Sequence, residues 1–234
     1  MKESDIYVGD KDEHGEPHGK GFLNTKEGIT YSGEWANGLR QGRGKATWPN
    51  GDEYNGEWAD DKMVGKGSLW RSNGHRYDGD FIGGRFNGNG LLWARNNENN
   101  MELVYNGTFK DSVYSGQGIM YYNGFRTEGW FHKGLADGPC KVTLLSDDEN
   151  GNDLNNGLLV YDGFFMEGRY HGKGTKYHMS ENEVHYKIYE GEWEKGKREG
   201  EGVSYDESGN VVYKGEWDNN VPADQADEEE IREL

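Results

Sequence analysis

The sequence is poor in the residues that build an ordinary protein core. Leu, Ile, Val and Phe together number 38 of 234. The chain carries 43 acidic residues against 26 basic ones, a formal charge of −17. Few aliphatics and a high net charge would, taken alone, describe a disordered chain. Cysteine is nearly absent: Cys140 stands alone, so no internal disulfide can form, which fits a reducing compartment. Clustered positive charge is also missing. The densest group, Lys195, Lys197 and Arg198, lies between Glu194 and Glu199. A phosphate backbone or an anionic bilayer demands grouped Lys and Arg, so nucleic acid is excluded as a partner and a membrane surface is disfavoured. No stretch approaches the ~20 apolar residues of a membrane helix. No apolar run follows Met1-Lys2-Glu3-Ser4-Asp5, as a secretory signal would require. A cytoplasmic protein is the expectation.

What is present is aromatic residues and glycine: 8 Trp, 15 Tyr and 38 Gly. Their placement is periodic. The string Tyr-x-Gly-x-Trp/Phe occurs at Tyr31-Gly33-Trp35, Tyr54-Gly56-Trp58, Tyr77-Gly79-Phe81 and Tyr105-Gly107-Phe109. It returns at Tyr161-Gly163-Phe165, Tyr189-Gly191-Trp193 and Tyr213-Gly215-Trp217. A degenerate copy reads Thr127-Gly129-Phe131, and a partial one opens at Tyr7-Gly9 with Lys11 in the aromatic position. Seven residues after the aromatic comes Gly-x-Gly, as at Gly42/Gly44, Gly65/Gly67, Gly88/Gly90, Gly116/Gly118, Gly172/Gly174 and Gly200/Gly202. The degenerate copy has Gly138 followed by Cys140. Variation in length falls after Gly-x-Gly, near residues 95–103, 146–158 and 179–188. A constant half and an elastic half describe a structural unit and its connection.

Tyr, Gly and the aromatic at i, i+2 and i+4 have the period of a β-strand. Ala36-Asn37-Gly38 then reads as a hairpin turn, and Gly84, Gly134, Gly168 and Gly196 recur at the Gly38 position, suited to a left-handed residue. Gly-x-Gly opens a second strand, closed by a turn such as Pro49-Asn50-Gly51. One hairpin is barely stable in water; stacked hairpins bury each other's aromatic rows. The prediction is therefore an all-β, elongated array of about eight antiparallel hairpins forming a twisted single-layer sheet or trough over residues 1–220. The hairpins start near Tyr7, Tyr31, Tyr54, Tyr77, Tyr105, Thr127, Tyr161, Tyr189 and Tyr213. The acidic residues 221–234 would follow, either as a short helix capping the last sheet edge or as a disordered tail.

Several strings imitate catalytic or metal sites. Gly15 to Gly21 and Gly168 to Gly174 each contain Gly-Lys-Gly but lack the spacing and the Ser/Thr of a phosphate-binding loop. Asp147-Asp148-Glu149-Asn150-Gly151-Asn152-Asp153 is rich in oxygen ligands but lacks the glycine and closing glutamate of a calcium loop. The seven histidines have no metal-ligand spacing. Cys140 reads as a packing substitution for glycine. No catalytic residues, metal or cofactor are expected, and the chain reads as a non-enzyme.

Tyr31-Ser32-Gly33-Glu34-Trp35-Ala36-Asn37-Gly38, then Gly42-Arg43-Gly44 and Pro49-Asn50-Gly51, resembles the MORN (membrane occupation and recognition nexus) repeat. The resemblance extends over about residues 5–220. It implies a non-catalytic adaptor: members serve in cilia and radial spokes, cytoskeletons, junctional membrane complexes and myosin binding. A protein-binding scaffold in a ciliary, axonemal or other cytoskeletal assembly is the expectation, with a phospholipid-surface module as the alternative. The partner segment, a peptide or a helix, would lie in a groove formed by Tyr31, Trp35, Tyr54, Trp58, Tyr77, Phe81, Tyr105, Phe109, Tyr161, Phe165, Tyr189 and Trp193. An acidic stripe of Glu34, Glu57, Asp80, Glu192 and Glu216, on the other face by strand alternation, would steer a basic partner. A homodimer through a terminal hairpin is a further expectation.

Overall fold

The chain is all-β and built of antiparallel hairpins, and their turns show why. In the computed structural model, which describes residues 5–145, 157–179 and 185–224, the turn after each aromatic is a tight two-residue loop with both φ angles positive. Asn37 and Gly38 have φ of 51° and 77°, and Lys195 and Gly196 have 51° and 88°. This is the mirror-image turn whose twist matches that of paired strands. Asp60-Asp61 and Asn219-Asn220 make the same turn without glycine, using the residues that best tolerate the left-handed region.

The described residues form eighteen strands, each antiparallel to its neighbours, and the chain divides into two compact units, residues 1–113 and 114–234. The first holds β1 (Ile6–Lys11), β2 (Pro17–Asn24), β3 (Thr30–Ala36), β4 (Leu39–Thr47), β5 (Glu53–Ala59), β6 (Lys62–Trp70), β7 (Arg76–Ile82), β8 (Arg85–Arg95) and β9 (Met101–Lys110). The second holds β10 (Val113–Tyr122), β11 (Phe125–His132), β12 (Leu135–Leu145), β13 (Gly157–Met166), β14 (Arg169–Met179), β15 (His185–Glu194), β16 (Lys197–Tyr205), β17 (Val211–Asp218) and β18 (Val221–Pro222). Within each unit, strands adjacent in sequence are adjacent in the sheet.

Two expectations are corrected. Part of the elastic connections is strand: Trp93, Ala94 and Arg95 pair with Leu103, Glu102 and Met101, and Tyr177, His178 and Met179 pair with Lys187, Tyr186 and His185. The paired segments lengthen the hairpins after a register shift, because backbone polar groups are satisfied more cheaply by a ladder than by a loop. The array also runs past residue 220. Val221 and Pro222 pair with Asp218 and Trp217 as β18, and Ala223 and Asp224 are helical. The expectations for residues 147–153 and for the tail from residue 225 lie outside the described residues.

The register repeats. Gly33 faces Gly44, Gly56 faces Gly67, Gly79 faces Gly90 and Gly191 faces Gly202. Immediately after each pair the register slips: Gly33 pairs with Gly44, but Glu34 pairs with Gln41. The slip is a β-bulge in the second strand, and the first glycine of Gly-x-Gly takes the left-handed conformation it needs: Gly42 has φ 61° and Gly200 has φ 62°.

Candidate functional site

On one face of the sheet in each unit, the ring face, Tyr31, Tyr54, Tyr77, Tyr161 and Tyr189 each lie over the glycine pair of their own repeat. A Cβ on Gly67 would stand 2.5 Å from Tyr54 Cε2, and one on Gly90 would be 2.5 Å from Tyr77 Cζ. Glycine is required there because the ring occupies the place of its side chain. The tyrosine hydroxyl then donates to the backbone carbonyl three residues on: Tyr31 to Glu34 (3.0 Å), Tyr54 to Glu57 (2.9 Å), Tyr77 to Asp80 (3.0 Å) and Tyr189 to Glu192 (2.9 Å). That carbonyl sits at the bulge, where the ladder is interrupted. Burial pushes the Tyr31 and Tyr189 phenols up to about 12 and raises those of Tyr54, Tyr77 and Tyr161 by the same cause.

The aromatic four residues on reaches back to the preceding repeat. Trp35 Nε1 donates to the Gly21 carbonyl (3.3 Å), Trp58 to Gly44 (3.0 Å) and Trp193 to Gly174 (3.1 Å). The rings thereby alternate in edge-to-face contacts. Tyr31 meets Trp35 at 5.0 Å and Trp58 at 5.4 Å, and Tyr54 meets Trp58 at 5.2 Å and Phe81 at 5.0 Å. Tyr189 meets Trp193 at 4.9 Å and Trp217 at 5.3 Å. Each such pair contributes about 0.5–1.5 kcal/mol beyond area burial. Here aromatic rings do what aliphatic side chains do elsewhere.

This packing alters the expected groove. Tyr31, Trp35, Tyr54, Trp58, Tyr77, Phe81, Tyr105, Phe109, Tyr161, Phe165, Tyr189 and Trp193 are 0–6% exposed. They form the floor beneath the surface, not an accessible strip. They are covered by residues two positions beyond the tight turn, a column that sequence reasoning missed. Arg40 lays its guanidinium 4.2 Å over Trp58, Phe86 stacks on Tyr77 at 3.8 Å, Tyr170 stacks on Tyr161 at 3.8 Å, and Arg198 lies 4.1 Å over Trp217. Pro17, Met63, Ala136 and Pro222 hold the same position in their repeats. The carbonyls of the column tie neighbouring hairpins together: the Gly38 amide donates to Pro17, Asp61 to Arg40, Gly84 to Met63 and Gly196 to Tyr170. The signal was legible as a constant spacing from the turn, but its residue types vary too widely to form a motif.

Beside the column in the first unit is an apolar cavity of about 210 Å³, lined by Leu69, Tyr77, Phe86 and Leu92 and rimmed by Arg71 and His75.

The acidic stripe is also partly engaged. Strand alternation places it on the opposite face, but three of its members bind backbone. The Arg43 amide donates to Glu34 Oε1 (3.2 Å), Lys66 to Glu57 Oε1 (3.1 Å) and Asn89 to Asp80 Oδ2 (3.0 Å). These amides belong to the bulge, so the carboxylates complete its hydrogen bonding. Glu192 and Glu216 are exposed on the same face.

Thr127 and Cys140 depart from the pattern together. Both are buried. Cys140 replaces the second glycine, and its Sγ donates to the Trp130 carbonyl at 3.4 Å. Burial also raises the thiol pKa, which suits a packing group and not a nucleophile. Among the described residues no group of His, Cys, Asp and Glu is arranged to hold a metal.

Comparison with known proteins agrees with this architecture. A family model described as the MORN repeat matches residues 31–53, 54–76, 77–98, 105–125, 161–178 and 189–211. No curated protein matches the chain. MORN-repeat proteins are repeat-based binding modules and are generally non-catalytic. With six matched repeats over more than half of its length, this chain belongs to the MORN-repeat family.

Proposed function

We propose that the chain is a non-catalytic scaffold that binds a protein segment, a peptide or an amphipathic helix, on its ring face. The apolar cavity beside Phe86 carries this reading. About 210 Å³ bounded by Leu69, Tyr77, Phe86 and Leu92 suits one apolar side chain of a partner, and a small apolar pocket with a polar rim is how an interface anchors a partner residue. Within the first unit the buried rings from Tyr31 to Phe109 act as a preformed floor, and the column above them, including Arg40, Met63 and Phe86, supplies the contact surface. A preformed floor reduces the ordering cost of association. The proposed setting is cytoplasmic, in a cytoskeletal or ciliary assembly, where adaptors of this family serve. Self-association through a terminal hairpin belongs to the same proposal, since among the described residues the register of β1 is with β2 alone and open strand edges favour pairing.

The test is selection of short random peptides displayed on phage against the full chain, followed by photo-crosslinking from a probe placed at Met63 or Leu92. Enriched peptides that crosslink there and are lost on Leu92→Glu support the reading. Peptides that crosslink only from the opposite face overturn it.

A further inference from the structure

On the face opposite the rings, the residue between glycine and aromatic is acidic in five repeats: Glu34, Glu57, Asp80, Glu192 and Glu216. In two neighbouring repeats it is Trp130 and Phe164, which are 47% and 40% exposed. Between them lies Pro139, also exposed, at the middle position of Gly-x-Gly, where other repeats carry Lys20, Arg43, Lys66, Asn89, Gln117, Lys173 or Glu201. Pro139 faces Phe164 in the ladder. Three adjacent polar positions have thus become apolar together. None of the three is needed by the core, which lies on the other side of the sheet.

The same row changes character farther along the second unit. Past Phe164 come Lys173, paired in register with Glu192, and then Glu201, paired with Glu216. The row therefore runs from an apolar end to an acidic end. From β11 to β17 it crosses six strand spacings, about 29 Å. Trp130 and Phe164 stand two strands apart, about 9.6 Å. A polyproline II helix rises ~3.1 Å per residue with three residues per turn, so its residues i and i+3 lie on one side ~9.3 Å apart.

We infer that this row is a docking surface for an extended proline-rich segment, with two apolar residues spaced by three seated on Trp130 and Phe164 and basic residues following over Glu192, Glu201 and Glu216. Exposed aromatic rings are the usual partners of polyproline II ligands because the ligand is already ordered. The acidic end supplies direction: basic residues at the wrong end of the segment would meet Trp130 instead. This site goes beyond the ring-face reading and uses none of its residues.

The test uses the full chain and a synthetic peptide of about nine residues, prolines and leucines first, lysines and arginines last, followed by titration calorimetry. Trp130→Glu and Phe164→Glu install the residue type that other repeats carry, so folding should persist, checked by circular dichroism. Each variant is expected to weaken binding about tenfold or more. The reversed peptide should bind worse than the original, and added salt should weaken binding. Equal binding by wild type and both folded variants would overturn the proposal. So would a wild type that ignores the peptide but loses self-association on Trp130→Glu, measured by light scattering; a second copy would then be the occupant.

Discussion

Cys140 Sγ donates to the carbonyl of Trp130 at 3.4 Å, the carbonyl that a tyrosine hydroxyl takes in the repeats of Tyr31, Tyr54 and Tyr189. Thr127, which replaces the tyrosine, is too short to reach it, and the space left by the ring is what the Cys140 side chain fills. The two substitutions compensate each other across β11 and β12. Thr127→Tyr alone should force a ring against Sγ and destabilise by about 1–3 kcal/mol. Combined with Cys140→Gly, much of that loss should return, with a coupling of about 0.5–3 kcal/mol in a urea double-mutant cycle. Additive losses would mean the pair is independent.

A methyl group at the second glycine should be intolerable where a tyrosine covers it. A Cβ on Gly67 would lie 2.5 Å from the Tyr54 ring, so Gly67→Ala is expected to cost about 1–3 kcal/mol as overpacking. Gly196→Ala meets no side chain but has φ 88°, and its smaller loss would come from backbone strain alone. Comparing the two urea midpoints separates the causes.

Removing one hydroxyl tests the bulge bond. Tyr54 donates to the Glu57 carbonyl at 2.9 Å. Tyr54→Phe keeps the ring over Gly67 but leaves that carbonyl short of a donor, a loss of about 1–2 kcal/mol. An unchanged melting curve would show that water replaces the hydroxyl.

Alkaline pH should unfold the chain cooperatively. Burial raises the Tyr31 and Tyr189 phenols from 10.0 to about 12 and shifts Tyr54, Tyr77 and Tyr161 the same way. The folded chain keeps protons that the unfolded chain releases. Stability is therefore full below pH 10 and falls as pH rises from 10 toward 12. Phenolate absorbance followed with circular dichroism should show these tyrosines ionising together with loss of structure. Ionisation near pH 10 with structure intact would contradict the burial.

The charge of −17 predicts that anionic vesicles are not bound at low salt, since like charges repel at long range. Co-sedimentation with phosphatidylserine vesicles is the measurement, and clear pelleting would favour the lipid-surface alternative.

The amino-acid sequence by itself determined the hairpins. Period-two spacing of Tyr31, Gly33 and Trp35, a turn at Asn37-Gly38 and a fixed seven-residue step to Gly42 are local properties, and local geometry reads them out. What tertiary structure decided was accessibility. Tyr31 and Trp58 are neighbours only because separate hairpins stack, and Arg40 covers both from two residues past a turn. Whether a ring lines a groove or lies beneath one depends on that covering residue, which follows no motif. The same holds for Glu57, whose carboxylate reads as a free surface charge in sequence but accepts the Lys66 amide across the bulge. A bulge places a backbone donor where strand periodicity alone shows none.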